Sequence, residues 1–136
     1  MILLGRKKKS EHLLFQGREA FNKSVSHALN GIEYTINHER NIKIQILFGI
    51  MACILGFLLN ISVIEWAIIV LVIAMVISLE LVNTAIERAI DLVTKDYEEL
   101  AKFSKDAAAG AVLIMSLFSV IIGIVIFLPK IIELIK

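Results

Sequence analysis

Glu80, Asn83, Thr84, Glu87 and Asp91 follow one another at spacings of one, three and four residues. On a helix turning 100° per residue they fall within an arc of about 100°, so three acids and an amide form one polar line. Carboxylates four and seven residues apart on one face repel one another and resist desolvation. In low-dielectric surroundings they must bind a cation, take up protons or face lysines. The plainer alternative, a solvated amphipathic extension, suits Asp91 better than Glu80. Glu39, Lys105 and Asp106 stand at the ends of neighbouring apolar runs. Two carboxylates from different helices can hold a divalent metal while a nucleotide's phosphates complete its oxygen shell, the usual mode for Mg²⁺. A lysine beside them can neutralise phosphate charge.

The elements that must position these residues are apolar. Of the 136 residues 58% are hydrophobic and 20% charged, and the mean hydropathy is +0.83. An ordinary soluble domain is roughly 45–50% apolar and about 25% charged. One Pro and seven Gly exclude a collagen-like or turn-rich chain, and the single cysteine, Cys53, excludes an intrachain disulfide and a cysteine-rich zinc site. His12, His27 and His38 have no metal-ligand spacing. No glycine precedes a lysine and no two glycines are two apart, so the Walker A and GxGxxG phosphate loops are absent, as is a GxSxG elbow.

Three runs are long enough, or nearly so, to cross a bilayer, which takes about 20 residues. Ile44 to Leu59 and Ala107 to Leu128 carry no charge, and the latter stops at Pro129. Trp66 to Leu79 gives only 14 uncharged residues between Glu65 and Glu80. To span, this segment must leave Glu65 at the outer interface and draw Glu80 to the hydrocarbon. Eight of the fourteen Lys/Arg lie in the first 43 residues and four between Arg88 and Lys105, whereas Asn60 to Glu65 has none. That asymmetry places the N-terminus in the cytoplasm and Asn60 to Glu65 in an outer turn. It does not resemble the single basic face of a nucleic-acid binder. Phe21, Val25, Ala28, Leu29, Ile32 and Ile36 form an apolar stripe, as in a helix lying on the inner leaflet. The expected fold is all-α and integral to the membrane. It has a basic segment at 1–18, a surface helix at 19–38 and spans near 42–62, 65–87 and 106–128. The small residues Ala107 to Ala111 should let a partner helix approach closely, and one three-span protomer has few surfaces to shield the acidic stripe, so a homo-oligomer is expected.

The motifs themselves are familiar. Glu80-Leu-Val-Asn83-Thr84-Ala-Ile-Glu87, with Asp91 four residues on, resembles the signature of the bacterial integral-membrane diacylglycerol kinases. Lys105-Asp106-Ala-Ala-Ala-Gly resembles that family's second motif, and Glu39-Arg40-Asn41 its third. The resemblance covers about Phe21 to Leu128. It implies a homotrimer with sites shared between protomers, using ATP and Mg²⁺ to phosphorylate a membrane lipid alcohol at the cytoplasmic face of the bacterial cell membrane. By the same resemblance Glu80 is the catalytic base, Asn83 orients the base or substrate, and Glu39 and Glu87 hold the metal. Asp91, Lys105 and Asp106 contact the nucleotide. Relatives carry an arginine early in the surface helix where this chain has Ala20, with Arg18 nearby. Ile64-Glu65-Trp66 and the Asp106 motif look more like the undecaprenol-phosphorylating members than the diacylglycerol-phosphorylating ones. From the residues alone, a small proton-coupled transporter built around Glu80 is the rival from another class. Its acid belongs near the bilayer midplane, whereas this stripe runs on to the membrane edge.

Overall fold

The computed structural model describes the backbone of residues 2–136 and the side chains of residues 19–136; Arg18 lies outside the described side chains. Four helices follow in order: α1 (Ile2–His38), α2 (Arg40–Leu58), α3 (Val63–Val93) and α4 (Glu99–Ile135), with no strand among the described residues. The chain divides into two compact units, Met1–Asn37 and His38–Lys136.

The first unit is α1. With no proline before Pro129 to interrupt it, this helix crosses the boundary expected near residue 18. Along it Phe21, Val25, Leu29 and Ile32 are all exposed. Glu39 ends it by taking an extended backbone, φ −103° and ψ 130°. Its side chain makes no capping hydrogen bond to α2, so the carboxylate is left for other work.

In the second unit, three helices are long and apolar enough to cross a membrane. α3 packs most extensively on α4 and next on α2, while α2 scarcely meets α4. The turn between α2 and α3 is tightly specified. Asn60 takes a left-handed conformation, φ 48°, and the N–H groups of Asn60 and Ile61 donate to the carbonyls of Phe57 and Gly56. This double bond from beyond the helix end satisfies carbonyls that would otherwise be orphaned. Ser62 then opens α3 with a reciprocal box. Its backbone N–H donates to Glu65 Oε2 at 2.6 Å, and its Oγ accepts from the Glu65 N–H at 3.3 Å. Lys130 Nζ lies 3.2 Å from the same carboxylate, so Glu65 is held at the mouth of the turn.

Beneath the turn lies the protomer's apolar core: Ile61, Ile69, Ile126 and Phe127, flanked by Leu55, Trp66 and Ile122. Gly56 lets α2 approach it. A Cβ there would sit 3.0 Å from Ile61 Cδ1 and 3.1 Å from the Trp66 ring, which in turn tilts against Phe57 with centroids 4.7 Å apart. α4 does not stop at Pro129 but runs through it to Ile135. Proline removes one N–H and disturbs the preceding turn without forbidding continuation where neighbouring helices hold the segment. The small-residue run Ala107 to Ala111 meets no helix among the described residues of this chain, since nothing lies within 4 Å of a Cβ built on Gly110 and Ala107, Ala109 and Ala111 are exposed, which leaves the expected partner from a second copy untouched. Within the chain the close approach falls at Gly49 and Gly56 of α2.

Substituting Gly56→Val forces carbon into space already filled by Ile61 and Trp66. We expect a loss of about 1–3 kcal/mol, the usual cost of overpacking, seen as a lower thermal midpoint in detergent micelles. An unchanged midpoint would mean that the Trp66 ring steps aside freely.

Candidate functional site

Along α3 the polar line grades from dry to wet. Glu80 is 2% exposed and Asn83 8%, Glu87 is half-buried, and Asp91 is exposed. Thr84 is also buried, but its Oγ1 donates to the Glu80 carbonyl at 3.0 Å. Its hydroxyl is thereby satisfied within its own helix, a packing role. Asn83 Nδ2 donates to Glu87 Oε1 at 3.1 Å across one turn, while Asn83 Oδ1 is buried with no hydrogen-bond partner.

The deepest carboxylate has a partner from another helix. Gln45, one turn into α2, donates from Nε2 to Glu80 Oε2 at 3.0 Å, and its own Oε1 is buried without a partner. Sequence reasoning passed over Gln45 because the run from Ile44 carries no charge. The available signal was an amide set inside an otherwise apolar stretch. Gln45, Glu80, Asn83 and Glu87 line a cavity of about 330 Å³, closed on the α4 side by Ala109, Val112 and Ser116.

The remaining candidates lie at the same end of the three helices. Glu39 Oε1 accepts from Arg88 Nη2 at 2.6 Å, which ties the start of α2 to α3 beside Glu87. Arg88 was also missed, because its value depends on what lies across from it. Asp91 pairs with Lys105, joining the end of α3 to the first turns of α4. Asp91, Lys105 and Asp106 share a smaller cavity of about 230 Å³ with Lys95, Tyr97 and Lys102. The structure therefore gathers Glu80, Asn83 and Glu87 in one cavity and Asp91, Lys105 and Asp106 in another. Glu39 lines neither.

The oxygen inventory suits a hard divalent cation. Glu87 offers a carboxylate, and Asn83 Oδ1 is a buried acceptor in need of a positive charge or a donor. No cluster of three or more His, Cys, Asp or Glu occurs among the described residues.

Comparison with known proteins decides what this arrangement belongs to. The family model for prokaryotic diacylglycerol kinase matches residues 26–127. The chain belongs to that family. The undecaprenol kinase of Bacillus subtilis is 50% identical over 110 residues, 81% of this chain and 89% of that protein. The diacylglycerol kinase of Synechocystis is 38% identical over 112 residues, 82% of this chain and 64% of that protein. A diacylglycerol kinase of Helicobacter pylori is 25% identical over 103 residues, 76% of this chain and 80% of that protein. The chain is thus a membrane lipid kinase, which displaces the transporter reading. All seven candidate residues fall inside the matched segment.

The Glu39–Arg88 pair invites a test of its own. The two side chains are 21% and 46% exposed, and pairs this wet stabilise by about 1 kcal/mol or less. Arg88→Met should therefore leave the thermal midpoint in micelles nearly unchanged. A large drop would identify the pair as a structural fastener and not as an exchangeable contact.

Proposed function

We propose that the chain transfers the γ-phosphoryl group of ATP to the hydroxyl of a polyprenol, undecaprenol first among them, at the inner face of the membrane. The observation that carries this reading is the meeting of two cavities. An apolar slot of about 420 Å³, floored by Ile69, Val72 and Val76 of α3 and walled by α2 and α4, shares Ile44, Gln45 and Ser116 with the polar cavity that holds Glu80. A lipid alcohol can lay the first part of its tail in the slot and bring its hydroxyl to the carboxylate. The likeness to the Bacillus undecaprenol kinase and the Ile64-Glu65-Trp66 turn support a prenyl tail over two acyl tails.

In this mechanism the alcohol oxygen attacks the γ-phosphorus, its proton passes to the Glu80 carboxylate, and the bond to the ADP oxygen breaks. Phosphoryl transfer asks the protein mainly for positioning and charge neutralisation. Glu80 and Glu87 are two helical turns apart, about 10 Å along the axis, so the base reaches the lipid while Glu87 faces the phosphates. Glu39 and Glu87 would hold the magnesium ion, with Asn83 steering Glu87 through its amide. When bound, the ion supplies positive charge to the phosphate oxygens. Lys105, with Asp91 and Asp106, would hold the nucleotide at the water-facing end.

The basic residues at this end support a cytoplasmic location for it. α1, with its exposed apolar stripe, would lie on the inner leaflet from residue 19 to 38. The exposed Ala107, Ala109 and Ala111 support a homotrimer in which a neighbour's helix covers this face and sites are shared.

Radiolabelled ATP offered with undecaprenol, shorter polyprenols and diacylglycerol in mixed micelles tests the reading, with undecaprenol expected to turn over best. Equal or faster labelling of diacylglycerol would assign the other acceptor. Glu80→Gln should lower kcat by about 10²–10⁴, the usual worth of a positioned general base, with nucleotide affinity within a few-fold. Glu87→Gln should instead raise the Mg²⁺ concentration needed for half activity, because an amide is a poorer ligand for a hard cation. Mixing inactive Glu80→Gln and Glu39→Gln protomers should return some activity if sites are shared, and none if each protomer works alone.

A further inference from the structure

We infer that Gln45 is the positioning residue for the base: it fixes which oxygen of Glu80 takes the proton and marks where the lipid hydroxyl docks. The inference rests on the reading of Glu80 as the base. The orientation of the Gln45 amide is set by chemistry, because only its N–H side can face a carboxylate oxygen 3.0 Å away. Glu80 Oε2 is thus engaged, and Oε1 is left for a proton arriving from the cavity. The same orientation turns Gln45 Oε1 away from Glu80, where it is buried without a partner. A buried acceptor of this kind calls for a donor.

Gln45 is also one of three residues common to the polar cavity and the apolar slot. A guest reaching it from the slot is therefore at the threshold where hydrocarbon gives way to polar groups. An alcohol offers the needed O–H; a phosphate monoester, the product, offers mainly negative oxygens to Gln45 Oε1 and Glu80. The side chain that aims the base would thus also favour unreacted lipid over product.

Two substitutions separate this role from simple packing. Gln45→Met keeps length and bulk but removes both the donor and the acceptor. Gln45→His restores a ring N–H at nearly the same reach. With undecaprenol in mixed micelles, Gln45→Met is expected to lower kcat about 10- to 100-fold, as small misplacements of catalytic groups do, and to raise the KM for lipid several-fold. The KM for ATP and the affinity for a fluorescent nucleotide analogue should stay within twofold. Gln45→His should recover a substantial part of kcat. The phosphorylated lipid should inhibit Gln45→Met more strongly, relative to substrate, than it inhibits the natural protein. If Gln45→Met keeps kcat within twofold while Glu80→Gln is inactive, this inference fails and the assignment of Glu80 stands. If Gln45→Met and Gln45→His lose activity equally, positioning through the N–H is excluded. If Glu80→Gln itself keeps full kcat, the assignment of the base fails first.

Discussion

A carboxylate that is 2% exposed between apolar helices is the constraint from which much of this molecule follows. Removing such a group from water costs several kcal/mol unless other groups replace its hydration. Within the described protomer the replacement comes from one amide, Gln45, across the α2–α3 interface. Its reach depends on how closely the two backbones run. Gly49, one turn beyond Gln45, permits that approach, since a Cβ there would come within 3.2 Å of Ile73 Cγ2. Glycine, amide and buried acid are therefore parts of one contact.

The rest of the second unit is arranged around keeping that contact at a mouth and not in a sealed core. At one end the helices are fastened by the Asn60 turn, the Ser62 box, the Lys130–Glu65 pair and the Ile61, Ile69, Ile126 and Phe127 cluster. α2 and α4 hardly touch each other, and residues of both, with α3, line the slot and the polar cavity. Fastening one end lets the other stay open without loosening the helix register. A lipid that never fully leaves the bilayer can then reach the acid from the side.

Much of this was legible in the sequence, for reasons that can be named. The polar line from Glu80 to Asp91 shows in the 3.6-residue period alone. The depth of Glu80 follows from a length argument, because 14 uncharged residues between Glu65 and Glu80 fall short of a bilayer. The turn between the first two spans follows from the end of the apolar run at Leu59. Gln45 and Arg88 were not legible, because each acquires its meaning from a residue at least 35 positions away that only the fold brings near. The close contacts within the chain were not legible either: they fall at Gly49 and Gly56, isolated among large residues, where neighbouring side chains come within about 3 Å of a Cβ.

The gradient of exposure along α3 also orders the proposed chemistry. Near Glu80 the surroundings are apolar and, among the described residues, the donor to its carboxylate is the Gln45 amide, conditions in which a proton acceptor works on a lipid without water competing for it. A turn higher, Asn83 and Glu87 offer oxygens at the cavity wall, where a cation can arrive with part of its hydration intact. Higher again, Asp91 and Lys105 face solvent, and Glu39, the more covered partner, is engaged with the exposed Arg88. For Glu39 to serve a metal, the carboxylate must exchange Arg88 for the ion. Because partly exposed pairs are held by little free energy, the exchange need not disturb the helices. Burial thus suits the end of the stripe that must hold one proton acceptor in place, and exposure suits the end whose partners must change as the nucleotide comes and goes.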